Sequence, residues 1–246
     1  MTDSNPILFY DIASAAPVHS FAPNPWKTRY ALNFKGVHYR TEWVELPEVE
    51  STRKKLGSDP VRFFADGSPF YTLPVIKDTS TGELVGDTFD IAVYLDKAYP
   101  DAPRLFPPST IGLHKAFNAQ VDAIFSAYTR LFVHGIPFNP ETAEESRATF
   151  VQRAGASCWD DLNYRGEERV QKLKQFEADL GNLAKYYIHK DGPFLEGQNP
   201  SYADLVVGGW LMMMKETLKE WEDLFAWHDG IWNRIHLALE KYTQVK

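Results

Sequence analysis

Cysteine is nearly absent: Cys158 stands alone among 246 residues, so no internal disulfide can close and stability must come from a buried core. A chain of this length can bury one, and a reducing, cytoplasmic compartment suits it best. Long apolar runs are missing too. The densest stretch, Leu205 to Met214, is interrupted by Gly208 and Gly209 and stops at Lys215, well short of the roughly 18 apolar residues a membrane span needs. The first five residues carry no basic group and the run Ile7 to Tyr10 is too short for a signal h-region, so no secretion signal is expected. No run of five or more like charges occurs, and 33 acidic against 26 basic residues leave a net charge of −7, which argues against a nucleic-acid partner. Also missing are GxGxxG, a P-loop, HExxH, CxxC and GxSxG, so dinucleotide, nucleotide, zinc-protease and α/β-hydrolase chemistry lack their usual support. The seven histidines stand apart from other ligands at metal spacing, and His189-Lys190-Asp191 reads as a solvated helix end; no metal is expected.

What is present divides the chain in two. Four prolines, Pro100, Pro103, Pro107 and Pro108, break both helix and central strand, and residues 100–108 read as a linker. Residues 1–99 form a mixed α/β domain and residues 109–246 an all-helical one. In the first, Ile7 to Ile12 is a buried strand, and Asn24-Pro25-Trp26 starts a helix with Asn24 as N-cap and Gly36 at its end. Trp26, Tyr30 and Phe34 recur every fourth residue and can face a sheet. Val37 to Leu46 then returns parallel to the first strand, closing a βαβ unit. Thr72 to Lys77 and Glu83 to Gly86 make a hairpin, and Asp87-Thr88 opens another helix. The second domain shows helical spacing from Phe117 to Phe132 and from Val170 to Tyr187. A capping box follows at Ser201…Asp204, ahead of a helix apolar nearly all round, and a last helix begins near Trp227. No internal repeat occurs.

Three features bear on chemistry. Leu73-Pro74 enters a strand inside the domain core; a cis bond there would expose Leu73's backbone to a bound peptide as an added strand, although an edge-strand proline, taken alone, explains the dipeptide more simply. Gly86-Asp87-Thr88 sits at a strand-to-helix junction, where free N–H groups, a hydroxyl and a carboxylate match an amino-acid zwitterion; an ordinary N-cap would look the same. The loop from Ser14 to Asn24 brings Ser20 and Asn24 beside a helix N-terminus, a place that stabilises a thiolate, while Ser20 could equally be a solvated loop residue.

Taken in order and spacing, these features resemble the cytosolic glutathione transferases. The resemblance rests on Leu73-Pro74-Val75, Gly86-Asp87-Thr88…Ile91…Tyr94-Leu95, the linker and Asn199-Pro200-Ser201-Tyr202-Ala203-Asp204, and it spans essentially the whole chain. The stretch from Asn24 to Gly36, with the long loop before it, is most similar to the fungal FuA class, related to bacterial β-etherases. The resemblance implies a thioredoxin-like first domain, glutathione as co-substrate, and a homodimer. It implies that Leu73, with Pro74 cis, holds the cysteinyl backbone of glutathione, and that Asp87 and Thr88 hold its γ-glutamyl end, where the family pattern is usually Glu-Ser. Ala22 stands where many relatives carry a catalytic Ser or Cys, so Ser20 becomes the first candidate for the thiol donor and Asn24 the second. Cys158 lies far from this site, against a cysteine-type, disulfide-reducing enzyme. The implied reaction is conjugation to, or ether cleavage of, an apolar aromatic compound in a pocket lined by Phe21, Tyr128, Phe132 and Trp232; the alternative is a ligandin that sequesters aromatic metabolites.

Overall fold

The computed structural model describes residues 6–246; the Met1–Asn5 segment, read above for a targeting signal, lies outside them. The first domain runs β1 (Ile7–Ile12), α1 (Pro23–Phe34), β2 (Tyr39–Val44), α2 (Val49–Leu56), the short pair β3 (Arg62–Phe63) and β4 (Pro69–Phe70), then β5 (Val75–Asp78), β6 (Leu84–Gly86) and α3 (Thr88–Ala98). The four-stranded sheet has order β2-β1-β5-β6. β2 lies parallel to β1, with Ile7 opposite Tyr39 and Ile12 opposite Val44, as a crossover through α1 requires. β5 lies antiparallel to β1 and β6 antiparallel to β5, the latter pair forming the expected hairpin. The first domain is thus a mixed, thioredoxin-like sheet.

The first helix begins two residues earlier than its sequence suggests. Ala22, not Asn24, is the N-cap and makes no side-chain bond there; Pro23 fills the first helical position, where its missing N–H has no intrahelical role. Asn24 therefore lies inside the first turn, with its side chain free for other work. Nor does the aromatic stripe face the sheet. Tyr30 approaches Gly208 and Phe34 meets Tyr242 edge-on at 5.5 Å. Arg29 lies under the sheet instead, its guanidinium 5.0 Å from the Phe9 ring and bonded to Asp11 at 2.6 Å.

The second domain comprises α4 (Ile111–Ser126), α5 (Ala143–Ala154), α6 (Gly166–Ala184), α7 (Tyr202–Thr217), α8 (Trp221–Ala226) and α9 (Ile231–Leu239). The Phe117–Phe132 periodicity is cut at Ser126: Leu131 lies in one 3₁₀ turn, and Tyr128 and Phe132 flank it. Near Trp227 the chain takes a 3₁₀ turn with His228, Asp229 and Gly230 all at positive φ, so the last helix starts only at Ile231. The capping box forms, with Asp204 accepting from the Ser201 N–H at 2.8 Å, and α7 is the buried axis of the molecule. It packs against α1 because Gly209 leaves room: a Cβ there would stand 2.7 Å from both the Pro23 carbonyl oxygen and Lys27 Cγ. That close approach places the first turn of α1 beside α4 and α7. Among the described residues no helix is long and apolar enough to cross a membrane.

Candidate active site

A cleft between the domains contains two adjoining cavities. The larger, about 970 Å³, is polar and is lined by Leu73, Pro74, Asp87 and Thr88 from the first domain and by Asn118 and Asp122 of α4. The smaller, about 700 Å³, is mainly apolar, with Phe21, Leu46, Phe150 and Met213 on its walls. Asn24, Thr72, Leu73 and Trp210 line both, so these residues mark the junction.

In the polar half, part of the backbone is left unpaired by the fold. The Leu73-Pro74 bond is cis, and neither the N–H nor the carbonyl of Leu73 takes a hydrogen bond among the described residues. Arg53, buried beneath this turn, donates from Nη1 to the Thr72 carbonyl at 2.8 Å and from Nη2 to Ser58 Oγ at 2.7 Å and to the Asp59 carbonyl. Its guanidinium also lies against Gly86, where a Cβ would come within 2.7 Å of Nη2. Glycine at this position therefore lets one arginine brace both the Thr72 turn and the β6–α3 junction. At that junction Asp87 has φ 75° and its carboxylate accepts from the Phe89 N–H at 3.0 Å, capping α3. Thr88 follows at the first helical position, at the positive end of the helix dipole.

A second network crosses from α1 to the helical domain. Lys27 is fully buried; Nζ donates to Asn24 Oδ1 at 2.8 Å and to Asp122 Oδ1. Burial lowers the Lys27 pKa and the Asp122 carboxylate opposes that shift. Asp122 also accepts from Trp210 Nε1 and from Asn118 Nδ2, both at 2.7 Å. An ammonium has donors only, so the Asn24 atom it faces must be the carbonyl oxygen, which turns Nδ2 the other way. That Nδ2 has no partner among the described residues, and Asn24 lines both cavities.

The remaining sequence candidates divide sharply. Leu73, Pro74, Asp87 and Thr88 line the polar cavity, Asn24 the junction and Phe21 the apolar wall. Ser20 does not reach either cavity: it is 1% exposed, its hydroxyl donates to Asp11 Oδ2 at 2.8 Å, and its carbonyl accepts from Trp26 Nε1 at 3.0 Å. Tyr128 points its hydroxyl at Asp179, 2.6 Å away, and burial together with that carboxylate pushes its pKa up to about 12. Phe132 is buried behind Trp210, edge-on at 6.4 Å. Trp232 is buried between Tyr187 and His228, donating to His228 Nδ1 at 2.9 Å. All three are buried in the core and none lines either cavity. Sequence reasoning missed Lys27, Arg53, Asp122 and Arg153. Lys27 on the first helix hinted at an internal charge, but nothing in the sequence named its partner, and the helix that carries Arg53 was not expected.

Comparison with known proteins agrees with this arrangement. Residues 21–98 match the family model described as glutathione S-transferase, N-terminal domain, and residues 112–242 match its C-terminal domain counterpart. The chain belongs to the glutathione S-transferase family. Among solved structures, a glutathione S-transferase of Ceriporiopsis subvermispora, crystallised in complex with glutathione, is 39% identical, with TM-score 0.89 over 98% of this chain and 99% of that one. Glutathione transferase GSTFuA2 of Phanerochaete chrysosporium is 35% identical, with TM-score 0.86 over 99% of this chain and 100% of that one. A curated relative, the glutathione S-transferase-like protein ustS of Aspergillus flavus, is 28% identical over 84% of this chain and 79% of its own length. The similarity to fungal FuA-type transferases thus extends over nearly the entire glutathione S-transferase fold.

Proposed function

We propose that the protein binds glutathione in the polar cavity and joins it, through its sulfur, to an aromatic electrophile held in the apolar one. The cysteinyl backbone would pair with the free N–H and carbonyl of Leu73 as one more strand, reading no side chain. The γ-glutamyl carboxylate would sit at the α3 N-terminus, against the Thr88 hydroxyl, with Asp87 near the ammonium. This arrangement would place the thiol close to the junction of the two cavities.

The thiol donor in this reading is Asn24, through Nδ2. The observation that carries it is the bond from Lys27 to Asn24 Oδ1, which fixes the amide with a donor to spare at the junction. Ser20 is spent on Asp11, and Ala22 has no polar group. A hydrogen bond to the thiolate would lower the thiol pKa and raise the fraction of nucleophile at neutral pH. The thiolate then attacks an electron-poor carbon: a C–S bond forms, a halide or aryloxide departs with the electrons of the broken bond, and the thiol proton passes to solvent. Holding both reactants across one junction supplies rate by proximity.

Ala22 also favours a second reading, binding of aromatic ligands with slow turnover, because the customary hydroxyl or thiol is missing beside the apolar cavity. One experiment separates the two. Calorimetry with glutathione and turnover of 1-chloro-2,4-dinitrobenzene are measured on wild type and Thr88→Ala. A transferase binds glutathione, turns over, and loses roughly tenfold in glutathione affinity with the hydroxyl. Aromatic binding without turnover supports the ligandin. No glutathione binding at millimolar concentration removes the proposal.

A further inference from the structure

One wall of the apolar cavity is a helix with almost no buried face. Of the 12 residues of α5, Ser146 alone is buried, whereas α7, which lines the same cavity with Trp210 and Met213, is buried almost throughout. α5 reaches the cavity with Phe150 and Arg153. Its main packing is on two 3₁₀ turns, Leu46–Glu48 in the first domain and Trp159–Leu162 shortly after the helix itself. The Phe150 ring meets Phe138 at 5.8 Å and Trp159 at 6.1 Å, and those two rings meet at 6.0 Å. Phe138 precedes α5 and Trp159 follows it, so the helix and its two connections share a small apolar cluster of their own. A further cavity of about 470 Å³ lies between Thr149 and Gln152 of α5 and Glu50, Phe70 and Tyr71 of the first domain. Arg153 lines both this cavity and the apolar one, so the C-terminal half of the helix stands over two voids.

Polar bonds tie both ends of this helix to the first domain. At its start Glu45 accepts from Asn139 Nδ2 at 2.5 Å and from the hydroxyl of Thr142, the N-cap residue of α5, at 2.7 Å. At its end Arg153 Nη2 donates to the Tyr71 carbonyl at 3.2 Å. Glu45 directly precedes Leu46, which lines the apolar cavity, so its two bonds lie at that cavity's edge. An element with few buried contacts opens locally at lower cost than the core, and hydrogen bonds to a carboxylate are the stronger ones that resist such opening. We infer that α5 swings as a unit with Phe138 and Trp159, and that Glu45 is the latch that limits the size of aromatic acceptor the apolar cavity admits. The inference rests on that cavity being the acceptor site. With the latch made, Phe150 and Leu46 hold the cavity narrow. With it broken, Phe150 and Arg153 can move, and the two voids that Arg153 borders can merge around a longer ring system. Glu45 touches no reacting atom and acts as a positioning residue.

A matched pair of acceptors tests this. In 4-chloro-3-nitroacetophenone and 4-chloro-3-nitrobenzophenone the thiolate forms a C–S bond at the carbon bearing chlorine, chloride leaves with the electrons of the C–Cl bond, and only the far end differs, methyl against phenyl. kcat/KM for both is measured on wild type, Glu45→Ala and Glu45→Gln, and amide hydrogen exchange is followed on the same proteins. In E45A the benzophenone-to-acetophenone ratio should rise about fivefold or more, and exchange across residues 143–154 should quicken about tenfold or more while α7 is unchanged. E45Q, which keeps an acceptor for the same donors, should fall between the two. An unchanged ratio, equal losses for both ketones, or unchanged exchange in α5 overturns the inference. Exchange that quickens equally in α7 marks a general loss of stability and overturns it too. Where wild type turns over neither ketone, the same ratio is read from dissociation constants by calorimetry. A ratio that E45A shifts towards the benzophenone supports the inference, and an unshifted ratio or no binding overturns it. Glutathione titration of wild type in the same series separately tests the transferase reading.

Discussion

In the polar half of the cleft Lys27, Arg53 and Asp122 are bonded within the protein, whereas the apolar half is walled mainly by aromatic and aliphatic side chains. Asp122 accepts from three donors drawn from α1, α4 and α7, and Arg53 braces two turns at once. A wall built this way cannot adapt much, which suits one invariant ligand. The apolar wall has few directional bonds to break, so it can accept rings of different outline. Fixed binding of one reactant and tolerant binding of the other is the division a conjugating enzyme with varied acceptors requires.

The largest effect that would break this contrast is expected at Asp122. Asp122→Ala leaves the fully buried Lys27 without its counter-charge, and the protein should lose about 3–5 kcal/mol in denaturant unfolding. A loss below about 1 kcal/mol would mean that the polar wall is not held as described. Ser20→Ala should cost about 1–3 kcal/mol, because Asp11 loses a buried donor, while kcat with 1-chloro-2,4-dinitrobenzene stays within about twofold of wild type. A catalytic Ser20 would give the reverse, unchanged stability and a large fall in kcat. The apolar wall should be far more forgiving. Phe150, partly exposed at the cavity, can be truncated to Ala with a several-fold rise in KM for an aromatic acceptor and no change in the glutathione dissociation constant. Movement of both constants together would show that the two cavities are not independent.

Much of the fold could be read from residue order. The parallel pair β1 and β2, the β5–β6 hairpin, Asp87 as the cap of α3 and the capping box at Ser201 and Asp204 each follow from local chemistry within a few residues. Helices α2, α5 and α8 went unnoticed because they are short or mostly exposed, so their apolar spacing is sparse. Leu73, Pro74, Asp87 and Thr88, which line the polar cavity, were legible as residues of element junctions, while a ligand there came only from the family resemblance. Tyr128, Phe132 and Trp232 were not: helical period tells that a side chain is buried, not whether its neighbour is a cavity or the core. Ser20 failed because its fate is decided by Asp11, nine residues earlier on a strand, and the tie from Asn24 through Lys27 reaches Asp122, 95 residues beyond Lys27. Charges paired over such distances leave no periodic trace.

The central claim is that Asn24, oriented by Lys27, holds the sulfur as its anion, and titration of the thiolate absorbance of bound glutathione tests it most directly. Wild type should ionise the bound thiol at least about one unit below the free value near 8.5. Asn24→Ala should return it towards that value while binding glutathione within about twofold as tightly. The same titration curve for both proteins would contradict the account.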